Sequence, residues 1–190
     1  ALEHCDGSAS FCRDTHPDDV VSHVSPPSGD EAAELQFREK QLAHRIGEVR
    51  AVLRTVTDGS LLRHMHYLNE DVAAFVDEKD NSIERPLVLA GHSFGAATVF
   101  TTAVKDHVEG NIGAGGKYGA LTLKSIQLFD LWGWPTKSYV MPTLAKDASI
   151  PNMPCPVTFY DSDQWDKWKE NKDYLEELVD EKRIRGHREV

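Results

Sequence analysis

Apolar residues recur along the chain with different spacings, and each spacing predicts a different kind of element. Between residues 34 and 56, leucines, isoleucine and valines recur at gaps of three, four and seven, which places them on one stripe of a helix. A similar apolar set predicts a second helix within residues 61–76. Short apolar runs at 87–90, 124–129 and 157–160 instead predict buried strands.

The order of these elements predicts the fold class. A helix predicted over 96–104 follows the first strand, and a charged amphipathic helix over 166–181 follows the last. Strands that alternate with helices form a mostly parallel sheet with flanking helices. We therefore expect a single α/β domain over residues 1–190, with a mobile surface loop at 15–33 and a glycine-rich loop at 110–119.

The segment GHSFG at residues 91–95 joins a predicted strand to a predicted helix. Such a sharp turn strains one residue, and glycines two positions before and after it relieve side-chain clashes. The turn would expose the oxygen of Ser93 at the carboxyl edge of the sheet, which makes Ser93 a candidate nucleophile. It would also place the N–H of Phe94 at a helix amino terminus, where it can hold an oxyanion. The alternative is a chance GxSxG in an ordinary tight turn.

A serine nucleophile on such a sheet needs an acid at the end of a later strand, and Asp130 follows the strand predicted at 124–129. Its apolar neighbours would desolvate a partner imidazole and strengthen their hydrogen bond. Asp161 and Asp163 follow the next strand, where triad acids also occur, and are rivals for the role. An ordinary strand-end aspartate that caps a turn is the alternative without catalysis.

The base of such a triad follows the acid in chain order. His187 is the one histidine that does so, and we expect it in a loop after a short strand. The alternative is a terminal histidine without a catalytic role. His92 adjoins Ser93 but moves with the turn, so we expect it to be a packing residue. His64 and His66 are two residues apart on a predicted helix and do not share a face, which argues against a metal site there.

Net charge, apolar content and cysteine count limit the classes of partner and the compartment that we expect for this chain. The net charge of −10 argues against nucleic acid and bulk anionic membrane as partners, because both need a cationic face. No apolar stretch is long enough for a transmembrane segment, and no signal peptide is recognisable. Three cysteines in no metal-binding pattern favour a reducing compartment, so we expect a cytoplasmic rather than a secreted protein.

Four segments resemble the plasma and type II platelet-activating-factor acetylhydrolases, the group VII phospholipases A2, in the order of that family. They are EHCDGSAS at 3–10, GHSFGAATV at 91–99, LFDLWGWP at 128–135 and RIRGHREV at 183–190. The resemblance implies an α/β-hydrolase fold in which Ser93 is the nucleophile, Asp130 the orienting acid and Phe94 one oxyanion donor. His187 lies in the segment that resembles the start of the family's triad-histidine segment. The family's other oxyanion donor precedes the first segment, so we expect a partial domain, truncated at both ends.

The resemblance also implies a reaction. The substrate would be a glycerophospholipid, at a lipid interface, with a short or oxidised acyl chain at the sn-2 position, and neither calcium nor a cofactor would be needed. Trp132 and Trp134 are candidates for an acyl pocket, and core packing is the alternative for both. Another serine esterase or thioesterase, or a degenerate lipid-binding hydrolase, are the alternatives at the level of function.

Overall fold

The computed structural model describes residues 11–13, 16–57, 85–119, 121–140, 153–180 and 186–189. Its strands are β1 Phe11–Arg13, β2 His16–Val21, β3 Arg85–His92, β4 Lys117–Tyr118, β5 Leu121–Phe129, β6 Val157–Tyr160 and β7 Gly186–Glu189. The main sheet runs in the order β3, β5, β6, β7 with parallel neighbours, and β4 pairs with β5 in the antiparallel sense. A separate antiparallel pair joins β1 to β2.

Two long helices pack as successive layers over one part of this sheet. The helices are α1 Glu31–Thr57, α2 Phe94–Val108, α3 Asp163–Asp166 and α4 Lys169–Asp180. Helix α2 packs on β3 and β5, and α1 packs on α2. The mostly parallel sheet with flanking helices confirms the predicted α/β fold.

Helix α2 is buried almost throughout because it lies between the sheet and α1. Alanines at its closest approaches, including Ala96 and Ala97, let the backbones approach one another. Two of its buried threonines satisfy their hydroxyls within the helix: Thr98 donates to the carbonyl of Phe94 at 2.9 Å, and Thr102 to that of Thr98 at 2.8 Å.

Helix α1 begins at Glu31, three residues before the predicted start at residue 34. Asp30 caps it, because its side chain accepts the N–H of Ala33 at 3.0 Å and its carbonyl that of Glu34 at 2.9 Å. The apolar stripe predicted from the sequence is the face that packs into the core. Its buried members are Leu42, Ile46, Val49 and Leu53.

Several predicted boundaries were wrong. The segment 15–33 is not wholly a loop, because β2 pairs Val20 and Val21 with Cys12 and Phe11, and α1 begins before residue 33. The glycine-rich segment 110–119 contains a 3-10 turn, Ala114–Gly116, followed by β4. The helix predicted over 166–181 is α4, which begins at Lys169, while residue 166 is the last residue of the short helix α3. The helix predicted within 61–76 lies outside the described residues.

A buried carboxylate joins the carboxyl ends of α1 and α2. Asp106 accepts a hydrogen bond from the hydroxyl of Tyr118 at 2.6 Å and an ion pair from Arg50 at 2.6 Å. Asn111 donates to the same carboxylate at 3.1 Å. Burial first, and then the hydrogen bond to Asp106, raises the pKa of Tyr118 well above its ordinary value. A cavity of about 620 Å³ borders this network.

Candidate active site

The turn at Ser93 has the backbone expected of a nucleophile elbow. β3 ends at His92, α2 begins at Phe94, and Ser93 between them has φ 53° and ψ −119°. Few non-glycine residues adopt positive φ, and such strain is kept where surrounding structure enforces it. Here the N–H of Ser93 donates to the carbonyl of Phe129 at 2.9 Å, and its own carbonyl accepts the N–H of Ala97 at 3.1 Å.

The two glycines of GHSFG are not equivalent. A Cβ at Gly91 would lie 2.4 Å from the carbonyl oxygen of Gly95, a distance that real Cβ atoms do not tolerate. At Gly95 itself, a Cβ would meet no described atom within 4 Å. The steric reason given for both glycines from the sequence therefore holds for Gly91 and was wrong for Gly95.

Asp130 lies directly beside this turn, at the end of the strand that neighbours β3. Its N–H donates to the carbonyl of Tyr160 at 2.8 Å, and its φ of 47° turns the chain away from the sheet. One carboxylate oxygen, Oδ1, accepts the N–H of Ser162 at 2.7 Å. The second oxygen, Oδ2, is 3.5 Å from Nε2 of His92. Asp130 is thus fixed through one oxygen and offers the other to an imidazole.

His92 was predicted to be a packing residue, and that prediction was wrong. Its side chain is 69% exposed, and its ring nitrogen approaches Asp130. The reason is its place on β3, because its neighbours on the same face, Ala90 and Val88, are also exposed. No local signal in the sequence distinguishes this face of β3 from a buried one.

His187 lies within β7, where a loop after a strand had been predicted. It pairs with Thr158, two residues before the row in which Phe129, Tyr160 and Glu189 are aligned. Asp130 follows Phe129, so it lies three residues further along the strand direction than His187 and two strands across the sheet from it. These two offsets separate the backbones of His187 and Asp130 by roughly 14 Å. The described backbone does not bring these two residues together. The role of His187 as the base stays a prediction.

The rival acids lie one strand further from the nucleophile. Asp161 follows β6 and is buried, and Asp163 begins α3. β6 is separated from β3 by β5, whereas Asp130 follows β5 itself. The geometry therefore favours Asp130 as the carboxylate nearest to Ser93.

Phe94 combines a backbone donor with a buried side chain. Its N–H is the first of α2, so it has no acceptor within the helix. Its ring contacts Trp132 edge-to-face at 5.7 Å, and the guanidinium of Arg45 lies 4.5 Å from the ring centre. Trp132 and Trp134 stack at 6.2 Å, and both are half-buried. The aromatic residues proposed for an acyl pocket thus form one cluster beside the elbow.

One positioning residue gave no signal in the sequence. Asn171 of α4 is buried, donates to the carbonyl of Leu131 at 2.9 Å and accepts the N–H of Gly133 at 2.7 Å. These two bonds fix the residues on either side of Trp132, in the segment that follows Asp130. Asn171 is 38 positions from Gly133 in sequence, so only the tertiary structure reveals the contact.

No group of three or more histidine, cysteine or acidic side chains within the described part of the chain could hold a metal ion. None of the described helices is long and apolar enough to cross a membrane.

A parallel sheet with a strained serine between a strand and a helix, and an aspartate at the end of the adjacent strand, is the arrangement of an α/β-hydrolase. The family model for platelet-activating factor acetylhydrolase, isoform II, matches residues 1–186. The chain belongs to this family, and at family level it is a hydrolase of phospholipid esters. The match stops one residue before His187. No curated protein and no solved structure matched the chain in the other two comparisons.

Proposed function

We propose that this protein hydrolyses the sn-2 ester of glycerophospholipids that carry an acetyl, short or oxidised acyl chain, with Ser93 as nucleophile and without calcium. The observation that carries the proposal is the strained backbone of Ser93 beside Asp130. The family supports the phospholipid ester, and the resemblance of the sequence segments to the acetylhydrolases supports the short chain.

The chemistry is acyl transfer to water. A histidine oriented by Asp130 takes the Ser93 proton as Oγ attacks the ester carbonyl. The N–H of Phe94 stabilises the negative charge that develops on the carbonyl oxygen. The tetrahedral intermediate expels the lysophospholipid alkoxide, which takes the proton from the imidazolium. Water then attacks the acyl-enzyme by the same route, and the short acid leaves.

We assign the base to His187, because the triad histidine follows the acid in chain order in this fold class. The contact of His92 with Asp130 supports His92 as the alternative general base in the same mechanism. Trp132 and Trp134 support a short acyl pocket, since their cluster adjoins both the nucleophile and the acid.

The proposal is tested by hydrolysis of two phospholipids that differ only at the sn-2 chain, one acetylated and one with a long acyl chain. We expect preferential cleavage of the acetyl ester, unchanged by EDTA and lost in Ser93→Ala. Equal cleavage of simple aryl esters and thioesters, with no phospholipid preference, would indicate a general esterase instead. Lipid binding by a folded protein that cleaves none of them would indicate a non-catalytic module.

A further inference from the structure

Two buried N–H groups beside the elbow have no acceptor. Nε of Arg38, on α1, and Nε1 of Trp132 are both covered, and neither has a hydrogen-bond partner anywhere in the described structure. A buried donor left without an acceptor is destabilising, so such groups in a native protein usually indicate a ligand, an ion or a water.

The two donors belong to one cluster. The guanidinium carbon of Arg38 lies 5.1 Å from the centre of the Trp132 ring and 5.8 Å from that of Phe94. The backbone N–H of Trp132 is 3.4 Å from the carbonyl oxygen of Ser93. Both unpaired donors therefore belong to a cluster that adjoins the proposed nucleophile through Trp132 and Phe94.

Arg38 also carries a positive charge that faces aromatic rings rather than a carboxylate in the described part of the chain. Its Nη1 donates to the neutral amide of Gln41 at 2.9 Å, and it forms no ion pair with any carboxylate among the described residues. By contrast Arg50, three turns further along α1, pairs with Asp106 and Glu109. Arg38 and Trp132 are each half-buried, so part of each side chain is exposed to solvent beside the two covered nitrogens.

We propose that Arg38 and Trp132 bind the phosphate of the phospholipid substrate. A phosphate offers several acceptor oxygens and a negative charge, which matches one cationic and one neutral donor. In a glycerophospholipid the phosphate is attached to the carbon next to the one that bears the sn-2 ester. A carbonyl held at Ser93 therefore brings the phosphate within the reach of a side chain at Arg38. This inference rests on the proposed function and adds a determinant of substrate class to it.

The test compares two esters that differ only in the headgroup, 1-alkyl-2-acetylglycerophosphocholine and 1-alkyl-2-acetylglycerol. Arg38→Met keeps the apolar stem but removes the charge, and Trp132→Phe keeps a ring but removes the N–H. We expect each to lower kcat/KM for the phospholipid by about tenfold, the usual effect of losing a hydrogen bond to a charged group. For the glycerol ester we expect Arg38→Met to change kcat/KM by less than about twofold. Trp132→Phe also alters the proposed acyl pocket, so for this variant we expect a smaller loss on the glycerol ester than on the phospholipid. Arg54→Met, exposed at the far end of α1, is the matched control and should alter neither.

Equal losses on both esters, or no loss on either, would overturn the phosphate site while leaving the hydrolase intact. A second measurement does not depend on turnover. In Ser93→Ala, sn-glycero-3-phosphocholine should shift the indole N–H resonance of Trp132, and Arg38→Met should abolish the shift. If the shift is present but the wild type hydrolyses neither ester, the proposed function is rejected and the phosphate site is retained. Absence of the shift in Ser93→Ala would reject the phosphate site.

Discussion

At the level of single residues, the turn at Ser93 depends on a close backbone approach two residues earlier. Gly91 lies where any side chain would strike the carbonyl of Gly95, and this contact accompanies the positive φ of Ser93. The strain at Ser93 is held by hydrogen bonds on both sides, to Phe129 and from Ala97. The turn is therefore specified by packing rather than by the flexibility of two glycines.

The two glycines should respond oppositely to alanine. Gly91→Ala should lower the free energy of unfolding by about 1–3 kcal/mol, because the backbone must shift to admit the methyl group. Gly95→Ala should be neutral or stabilise by up to about 1 kcal/mol, since alanine favours the helix that Gly95 occupies. Urea unfolding of the two variants measures the difference. A loss of similar size in both would contradict the asymmetry.

The assignment of the base is also decided at single residues. His187→Gln should lower kcat by about 10²-fold or more, as expected for the loss of a general base, while His92→Gln should lower it by less than about tenfold. The measurement is kcat on the 2-acetyl phospholipid, with circular dichroism as the control for folding. The opposite pattern would give the role to His92, the histidine that contacts Asp130 in the described structure.

At the level of elements, the segment after β5 is held in place by α4. Asn171→Ala would leave the buried N–H of Gly133 without its acceptor, and the carbonyl of Leu131 would keep only the indole N–H of Trp165 as a donor. We expect a loss of about 1–3 kcal/mol in the free energy of unfolding and slower acylation of Ser93. Asp173→Ala on the same helix removes an exposed ion pair with Lys169 and should cost less than about 1 kcal/mol. Comparable losses in the two variants would contradict a specific role for Asn171.

The junction of α1, α2 and β4 should make stability depend on alkaline pH. Burial and Asp106 raise the pKa of Tyr118 in the folded state above its unfolded value near 10. The folded state therefore favours the neutral phenol, and this stabilisation is complete below pH 10 and declines as the pH rises above it. Tyr118→Phe should be less stable at pH 7 by about 1–3 kcal/mol, because Asp106 loses a donor, and its stability should fall less steeply above pH 10. Parallel pH profiles of the two proteins would contradict this origin.

At the scale of the whole molecule, the features that sequence predicted are those set by neighbouring residues. The apolar run before GHSFG and the alanine-rich helix after it predicted β3, α2 and the elbow, and the end of β5 predicted the place of Asp130. The cap formed by Asp30 starts α1 at Glu31, three residues before the start that the apolar pattern predicted. Contacts between distant segments were not predictable in this way. The bonds from Asn171, the guanidinium of Arg45 over Phe94 and the approach of His92 to Asp130 arise only when the sheet and helices assemble.

The proposed mechanism requires Ser93 to be an activated nucleophile. A fluorophosphonate probe followed by peptide mass spectrometry tests it most directly, because the probe reacts with activated serines. We predict labelling confined to Ser93 in the wild type, and none in the folded Ser93→Ala variant. No labelling of Ser93 in the folded wild-type protein, or equal labelling of wild type and variant, would contradict this role of Ser93.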